Sequence, residues 1–478
     1  MLAIVRSAEP LGLDQGLFAC FGRWIPDGAL PYRDLFDSKP PLHLYTWVLA
    51  WLGGTPASAW WFEVVWLLAS GALAFVLGRR VGGRWVGLAI AMLLVAGVWL
   101  PGFGGYWSRL QAEELLVLPE LAAAWFALRA VDKSRAALWC GVLTGAVGLY
   151  KIPALAIGAA WLALWLASVS RRDALVRLAW FAGGVAAPWL VVSAWFAAHG
   201  AFGIFISSIV FYQRHWIAQI DPPWGDVIDQ FIMTGARVLW VMWLAAFVGI
   251  AFAWRRNRQL AIMLAVWVVA CAVAIIMQRQ LAGYHFLLLV PSLAVAAGYG
   301  LVALTERALW LGAIAIAIVA LVTVRDLASY RGEGDSREVY LRSMQKGTFK
   351  PAEEEEVVRY LSAHTKPGDG VLVWALAPGI YALADRHPVT RFPFHRLLLT
   401  DSKLSRAVPG LPARRAALLA RMRADPPAYV VIGTNDSNPF ETDSVSSLFA
   451  FSELSQIVLR DYHEETRIGH FVVLAKTR

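Results

Sequence analysis

Carboxylates that could do chemistry lie in two separated parts of the chain. Asp14 stands in an Asp-Gln-Gly triplet, and Asp37 and Lys39 follow in the run PYRDLFDSKPPLHLY. Glu113 and Glu114 open a later apolar stretch. A carboxylate can act as a general base on a hydroxyl group, whereas turn-forming Asp residues in a solvated loop are the ordinary alternative. An acid that opens a helix can also simply complement the helix dipole.

Cationic and aromatic side chains that could bind an anion lie in further segments. They are Arg109, Lys151 in LYKIP, Arg279, and the neighbours Tyr284 and His285. Such groups can stabilise the negative charge that develops on a departing phosphate. A lone Lys at a helix end often extends to the membrane surface instead. If these cations and the acids share one side of a membrane, they suit group transfer from a lipid phosphate.

The composition identifies the elements that must position these residues. Of the 478 residues, 58% are hydrophobic and only 16% are charged, against about 25% charged in a typical soluble protein. The excess lies between about residues 42 and 325, and the last third has an ordinary composition. The net charge of +9 comes from short clusters between apolar blocks, so we do not expect a nucleic-acid partner.

The apolar blocks predict a polytopic α-helical membrane protein, because a spanning helix needs about 20 apolar residues. The predicted spans are 57–78, 84–101, 113–130, 134–150, 153–169, 176–198, 236–254, 260–277, 284–303 and 308–325. The shorter apolar run 41–53 fits a helix that lies along the membrane surface.

Every second loop between these spans is rich in Arg or Lys, which predicts that those loops are cytoplasmic. The remaining loops, residues 1–40 and the tail after 325 are then outside the cytoplasm. We therefore expect a first extracytoplasmic loop with its surface helix over 1–56, a transmembrane domain over 57–325, and an extracytoplasmic soluble domain over 335–478. An N-terminus outside with no preceding apolar segment suggests that an upstream helix is missing.

The tail reads as a small α/β domain. A polar helix, Glu353 to His364, precedes the strand VLVWAL, and a basic helix over 413–424 leads into the strand YVVIG. A last strand, HFVVLA, ends the chain. Strands that alternate with helices predict a layered α/β arrangement.

Several of these motifs resemble a known family. The segments DQG and GALPYRDLFDSKPPL are similar to the first outside loop of the protein O-mannosyltransferase superfamily, whose bacterial members include the lipid A aminoarabinose transferase. QAEELLVLP, GAVGLYKIP and YHFLLLVP resemble later family segments, in the same order, so that the similarity covers about residues 12–300. The resemblance implies a GT-C fold and a polyprenyl-phosphate sugar as donor.

By the same resemblance, Asp14 is the catalytic base, and Glu113 is a second acid that places the acceptor or a divalent ion. Asp37 and Glu114 join Glu113 as candidates for that placement. Candidates for the lipid phosphate are Lys39, Arg109, Lys151, Arg279, Tyr284 and His285. The family often has Glu where this chain has Gln15, which would alter the hydrogen bonding around the base.

The leading hypothesis is thus a glycosyltransferase of the cytoplasmic membrane that inverts the anomeric carbon. Its acceptor could be a protein, a lipid or a glycan. A transporter or flippase of a lipid-linked glycan is the alternative. It requires charged groups deep in several spans, whereas these spans are nearly free of charge and Glu63 is the clearest exception. An inactive scaffold is a third hypothesis. A divalent cation on Asp14, Asp37 and Glu113 stays open, since these residues offer oxygen ligands.

Overall fold

A computed structural model describes residues 9–100, 103, 105–279, 281–328, 349–400, 402, 405–406, 408–437 and 442–477. The helices before residue 330 are α1 Leu13–Trp24, α2 Pro41–Ala50, α3 Pro56–Gly82, α4 Arg84–Val98, α5 Ala112–Leu115, α6 Val117–Asp132, α7 Ala136–Tyr150, α8 Gly158–Ser168, α9 Arg171–Ala198, α10 Phe202–Ile206, α11 Tyr212–Ile220, α12 Trp224–Gln230, α13 Arg237–Arg256, α14 Arg258–Ile276, α15 Val290–Arg307 and α16 Leu309–Ala328. Tighter 3₁₀ turns cover Gly105–Ser108, Ile152–Ile157 and Gly283–Leu289, and wider π-helical turns cover Ser207–Phe211 and Phe231–Ala236.

Helices occupy all ten predicted spans. Among the described residues, five continuous helical segments are long and apolar enough to cross a membrane: Pro56–Gly82, Arg171–Ala198, Trp224–Arg256, Arg258–Ile276 and Gly283–Arg307. Other predicted spans, such as α4 and α7, are apolar helices of 15 residues each. The chain is therefore a multi-pass membrane protein, and each predicted span lies in a helical part of the structure.

Two predicted loops contain helices instead. Residues 13–24, inside the predicted first loop, form α1, and most of its side chains are buried. The predicted outside loop 199–235 is built from α10, α11 and α12 with the two π-helical turns. Both segments are less apolar than the spans, so hydropathy alone did not separate them from loops.

Small residues set the distance between neighbouring helices of the membrane region. Gly141 on α7 faces Gly184 on α9, and a Cβ placed on Gly184 would lie only 2.9 Å from the Cα of Gly141. Helices in membranes commonly pack in this way because lipid tails offer no hydrophobic drive for association. Leu190 and Val191, farther along α9, are 67% and 70% exposed, as expected for side chains that face lipid.

A five-stranded sheet lies in the C-terminal part. Its strands are β1 Gly370–Trp374, β2 His387–Pro388, β3 Tyr429–Gly433, β4 Tyr462–Ile468 and β5 Phe471–Lys476, in the spatial order β2-β1-β3-β5-β4. The first three strands pair in parallel, and β5 runs antiparallel to β3 and to β4. Its helices are α17 Pro351–His364, α18 Gly379–Ala384, α19 Leu411–Ala424, α20 Ser444–Phe449 and α21 Ser452–Asp461. The predicted α/β class is confirmed; β2 and the polar edge strand β4 were missed.

The α7–α9 contact gives a stability prediction. We expect Gly184→Ala to lower the stability of the protein by about 1–3 kcal/mol, because the added methyl group collides with the α7 backbone. The adjacent Gly183 has open space where a Cβ would lie and provides the matched control, Gly183→Ala. Thermal unfolding in detergent measures both. Equal melting temperatures for the two variants would contradict the contact.

Candidate active site

Helix α1 carries Asp14 in its first turn, at the wall of a cavity. The cavity has a volume of about 490 Å³. Its charged lining residues are Asp14, Asp37, Lys39, Lys151 and Arg396, with Tyr284 and His285 beside them. Apolar side chains line the rest, among them Leu17, Phe18, Ile209, Val210, Ile217 and Met277. One cavity thus joins carboxylates, cations and an apolar wall.

Hydrogen bonds from the segment before α5 hold the first turn of α1 in place. Gln111 Nε2 donates to Asp14 Oδ2 at 2.9 Å. Gln15 Nε2 donates to the backbone oxygens of Trp107 at 3.0 Å and Arg109 at 2.7 Å. An ionised Glu at position 15 could not donate these bonds. The Gln15 amide therefore anchors the first turn of α1 to the segment before α5.

Glu113 lies behind the cavity wall and not on it. Its carboxylate is fully buried, pairs with the ammonium group of Lys151, and has His285 Nε2 3.6 Å away. A buried carboxylate is costly unless a cation and hydrogen-bond donors accompany it. Glu113 consequently holds Lys151 and His285 at the cavity.

Lys39 reaches the cavity from the loop between α1 and α2. Its ammonium nitrogen lies 5.5 Å from the ring centre of Tyr284 and 5.9 Å from that of Phe18. Tyr32, whose φ is +71°, donates a 2.8 Å hydrogen bond from its hydroxyl to the Lys39 backbone oxygen. Aromatic faces attract a cation without neutralising its charge. Lys39 is therefore held while its positive charge stays available to an anion.

Asp37 shares this loop and is almost completely buried. Its Oδ1 accepts the backbone N–H groups of Ser38 and Lys39 at 2.5 and 3.4 Å. Burial raises the pKa of Asp37 to about 6, although the charge of Lys39 opposes the rise. The net charge of the cavity accordingly changes near neutral pH.

Arg109 and Arg279, two of the candidates for phosphate binding, are not among the described residues that line the cavity. Arg109 is 1% exposed, pairs with Glu9 and Glu63, and lies 3.9 Å from the ring centre of Trp60. Arg279 pairs with Asp221 at 2.6 Å and stacks on Trp224. Their positive charges are balanced locally, which the sequence did not reveal.

Glu114 likewise points away from the cavity. Its Oε2 accepts the backbone N–H of Leu110 at 2.7 Å, so it fixes the turn before α5. Leu110 has a φ of +51°, and the carboxylate stabilises this unusual turn. A role for Glu114 in binding the acceptor or a metal has no support from its position.

A divalent-ion site over Asp14, Asp37 and Glu113 does not fit this geometry. Glu113 is paired with Lys151, and within the described ranges no group of three His, Cys, Asp or Glu side chains is arranged to hold a metal ion. Of the three carboxylates, Asp14 and Asp37 line the cavity, whereas Glu113 is not among its lining residues.

Among the described lining residues, Arg396 is a charged one that the sequence analysis missed. It belongs to the 3₁₀ turn His395–Leu398, which follows β2. The preceding residues are docked on the Lys39 loop: Phe36 N–H donates to the Arg391 oxygen at 2.8 Å, and Arg391 donates to the Tyr32 oxygen at 3.1 Å. Contact between segments some 360 residues apart leaves no local signal in the sequence.

Comparison with solved structures shows which known folds this chain resembles. The chain is similar to ArnT from Cupriavidus metallidurans bound to undecaprenyl phosphate, with TM-score 0.61, 17% identity, and coverage of 100% of this chain and 96% of that one. For ArnT from the same organism in its apo state, the TM-score is 0.60 and the identity is 16%. The alignment covers 97% of this chain and 93% of that one. For the oligosaccharyltransferase AglB from Archaeoglobus fulgidus, in complex with an inhibitory peptide and a dolichol-phosphate, the TM-score is only 0.47. The identity is 12%, and the alignment covers 97% of this chain and 70% of that one.

No family model matches the sequence, and no curated protein matches it. The similarity to ArnT extends over nearly the whole length of both chains and includes the C-terminal region. The protein therefore has the GT-C-like fold of ArnT, a polytopic helical membrane region followed by a C-terminal α/β domain, as its sequence predicts.

Proposed function

We propose that this protein is a glycosyltransferase of the cytoplasmic membrane, which moves a sugar from a polyprenyl-phosphate donor to an acceptor outside the cytoplasm. The observation that carries the proposal is the cavity itself, where Asp14 lines the same space as Lys39, Lys151 and Arg396. The ArnT structure with undecaprenyl phosphate supports the choice of donor. The alternation of basic loops supports the orientation, with the cavity and the C-terminal domain outside.

The reaction we propose is a single displacement. Asp14 accepts the proton of the acceptor hydroxyl as its oxygen attacks the anomeric carbon of the donor sugar. The bond from that carbon to the phosphate oxygen breaks, and polyprenyl phosphate leaves with the bonding electrons. Attack opposite the leaving group inverts the anomeric carbon. The Gln111 hydrogen bond aims the Asp14 carboxylate throughout.

The cations of the cavity stabilise the leaving phosphate. Lys39 and Lys151 approach from the α1–α2 loop and from the end of α7, with His285 and Tyr284 next to them. Positive charge placed in advance where negative charge develops lowers the barrier, and it acts strongly in a partly buried site. The apolar wall from Ile209, Val210, Ile217 and Met277 suits the first isoprene units of the lipid.

The alternative, a transporter or flippase, has less support. In the described spans, the buried charges each have local partners. Glu63 pairs with Arg109, Glu120 accepts from Trp267 Nε1 at 2.7 Å, and Arg177 donates to backbone oxygens at the end of α6. Such groups stabilise helix contacts, and they do not form a polar route across the membrane. An inactive scaffold would have no need of Asp14 at the cavity wall.

Replacing the proposed base is the first test. We expect Asp14→Asn to lower sugar transfer by roughly 10²–10⁴-fold, because the amide cannot accept the proton. The assay uses protein in lipid nanodiscs, a panel of undecaprenyl-phosphate sugars, and a cell-envelope extract as the source of acceptors, and it follows release of undecaprenyl phosphate. The matched control is Asp27→Asn, a change at an exposed residue in the turn that follows the end of α1. Near wild-type turnover in a well-folded Asp14→Asn protein would remove Asp14 from the mechanism.

Lys39 provides a test of phosphate binding. We expect Lys39→Met to weaken the binding of undecaprenyl phosphate by roughly tenfold, since the side-chain volume is kept while the charge is lost. Lys366→Met removes an exposed charge in the C-terminal domain and should leave binding unchanged. Binding is measured by titration of the purified protein. Equal affinities for both variants would place the phosphate elsewhere.

The ionisation of Asp37 should make the binding of undecaprenyl phosphate depend on pH. Its pKa of about 6 means that the carboxyl group is largely neutral at pH 5 and ionised at pH 7.5. The ionised form adds a negative charge to the cavity and opposes an anionic ligand, so affinity for undecaprenyl phosphate should fall as pH rises through 6. In Asp37→Asn this part of the fall should vanish, while titration of the ligand itself affects both proteins equally. Parallel pH profiles for the two would refute the prediction.

A further inference from the structure

Helix α1 rests directly on the C-terminal domain. A Cβ placed on Gly16 would lie 2.7 Å from the backbone nitrogen of Gly379 and 2.8 Å from its Cα, at the start of α18. Any other residue at position 16 would therefore force the two backbones apart. Gly16 is two residues beyond Asp14, so only about 3 Å of helix rise separates them.

The contact continues along the same face of α1. The Cys20 thiol lies 3.4 Å from the Pro378 oxygen, and Arg23 pairs with Asp385 at 2.6 Å. Positions 16, 20 and 23 follow the spacing of one helix face. The C-terminal domain thus supports α1 over two turns, beginning beside the residue that carries the carboxylate.

The first turn is also fixed from the membrane side. Gln15 donates to the backbone of the 105–110 turn, and Gln111 donates to Asp14 itself. These hydrogen bonds form only when α1 lies at a fixed distance from that turn. A relaxed Cβ contact needs about 3.4 Å, so a residue larger than Gly at 16 would displace α1 by about 0.7 Å relative to α18.

We propose that Gly16 is a positioning residue, through which the C-terminal domain holds the Asp14 carboxylate at the cavity. The proposal rests on the function given above. In this view the C-terminal domain is part of the catalytic machinery, since the close approach of Gly16 and Gly379 determines where the base stands. Lys39 and Lys151 are carried by other elements, the α1–α2 loop and the end of α7.

The test is Gly16→Ala, assayed with the undecaprenyl-phosphate sugar that the wild-type protein turns over fastest. We expect kcat to fall at least tenfold, because a displacement below 1 Å already misaligns a base with its proton. KM for the donor and the affinity for undecaprenyl phosphate should stay within twofold. A loss confined to KM, or an unchanged kcat, would overturn the proposal.

Gly22→Ala is the matched control on the same helix. A Cβ there would also collide, at 2.6 Å from the Trp47 backbone oxygen and from Trp51 Cβ, but at the end of α1 far from Asp14. Both variants should lose thermal stability, whereas only Gly16→Ala should lose most of its kcat. Equal kcat losses would mean that general destabilisation is the cause. If Gly16→Ala does not fold, Gly379→Val approaches the same contact from the other side. A Cβ at position 379 would lie 3.5 Å from the Gly16 Cα, so it is the two further methyl groups of Val that add bulk there, and we expect a smaller loss of kcat in the same direction.

A measurement without substrate separates this proposal from the proposed function. Cys20 is completely buried against Pro378, and burial raises the pKa of its thiol, so it should resist N-ethylmaleimide. In Gly16→Ala, we expect at least fivefold faster labelling of the Cys20 peptide, read by mass spectrometry. Cys140 and Cys271, buried elsewhere, serve as internal controls. If the wild-type protein transfers no sugar, the proposed function fails, and unchanged Cys20 labelling would still overturn the role of Gly16.

Discussion

The buried ion pair between Glu113 and Lys151 is the interaction on which the cavity depends. Glu113 opens α5, Lys151 ends α7, and His285 lies in the turn before α15, so one carboxylate joins three segments that are far apart in sequence. Because a buried carboxylate without a cation is strongly destabilising, these segments must meet where they do. The cavity wall that carries Lys151 and His285 follows from this requirement.

The other walls are built from segments that lie outside the membrane-spanning helices. The α1–α2 loop brings Asp37 and Lys39, and the C-terminal turn after β2 brings Arg396. Backbone hydrogen bonds between Phe36 and Arg391 and between Arg391 and Tyr32 connect these two walls. The membrane region alone would leave the cavity open on this side. Catalysis of the proposed kind needs water kept from the reacting groups, which gives a physical reason for a domain docked at this position.

The fold is similar to that of ArnT although the two sequences are not. Only 17% of residues are identical to ArnT over an alignment that spans the whole chain. Lipid-facing positions require only apolar side chains and helix contacts require only small ones, so many sequences satisfy the same architecture. The same freedom means that fold similarity leaves the reaction undetermined. The functional proposal consequently depends on the charged residues of one cavity.

The sequence by itself determined the membrane class, the helical character of the apolar blocks and the central strands, because hydropathy and local periodicity are properties of neighbouring residues. It also indicated Asp14, Lys39, Lys151, Tyr284 and His285, all of which line the cavity. Only the tertiary structure decided that Arg109 balances Glu63, that Glu113 stands behind Lys151, and that Arg396 enters from the C-terminal domain. Which charges meet depends on packing between distant segments, and no local pattern encodes that.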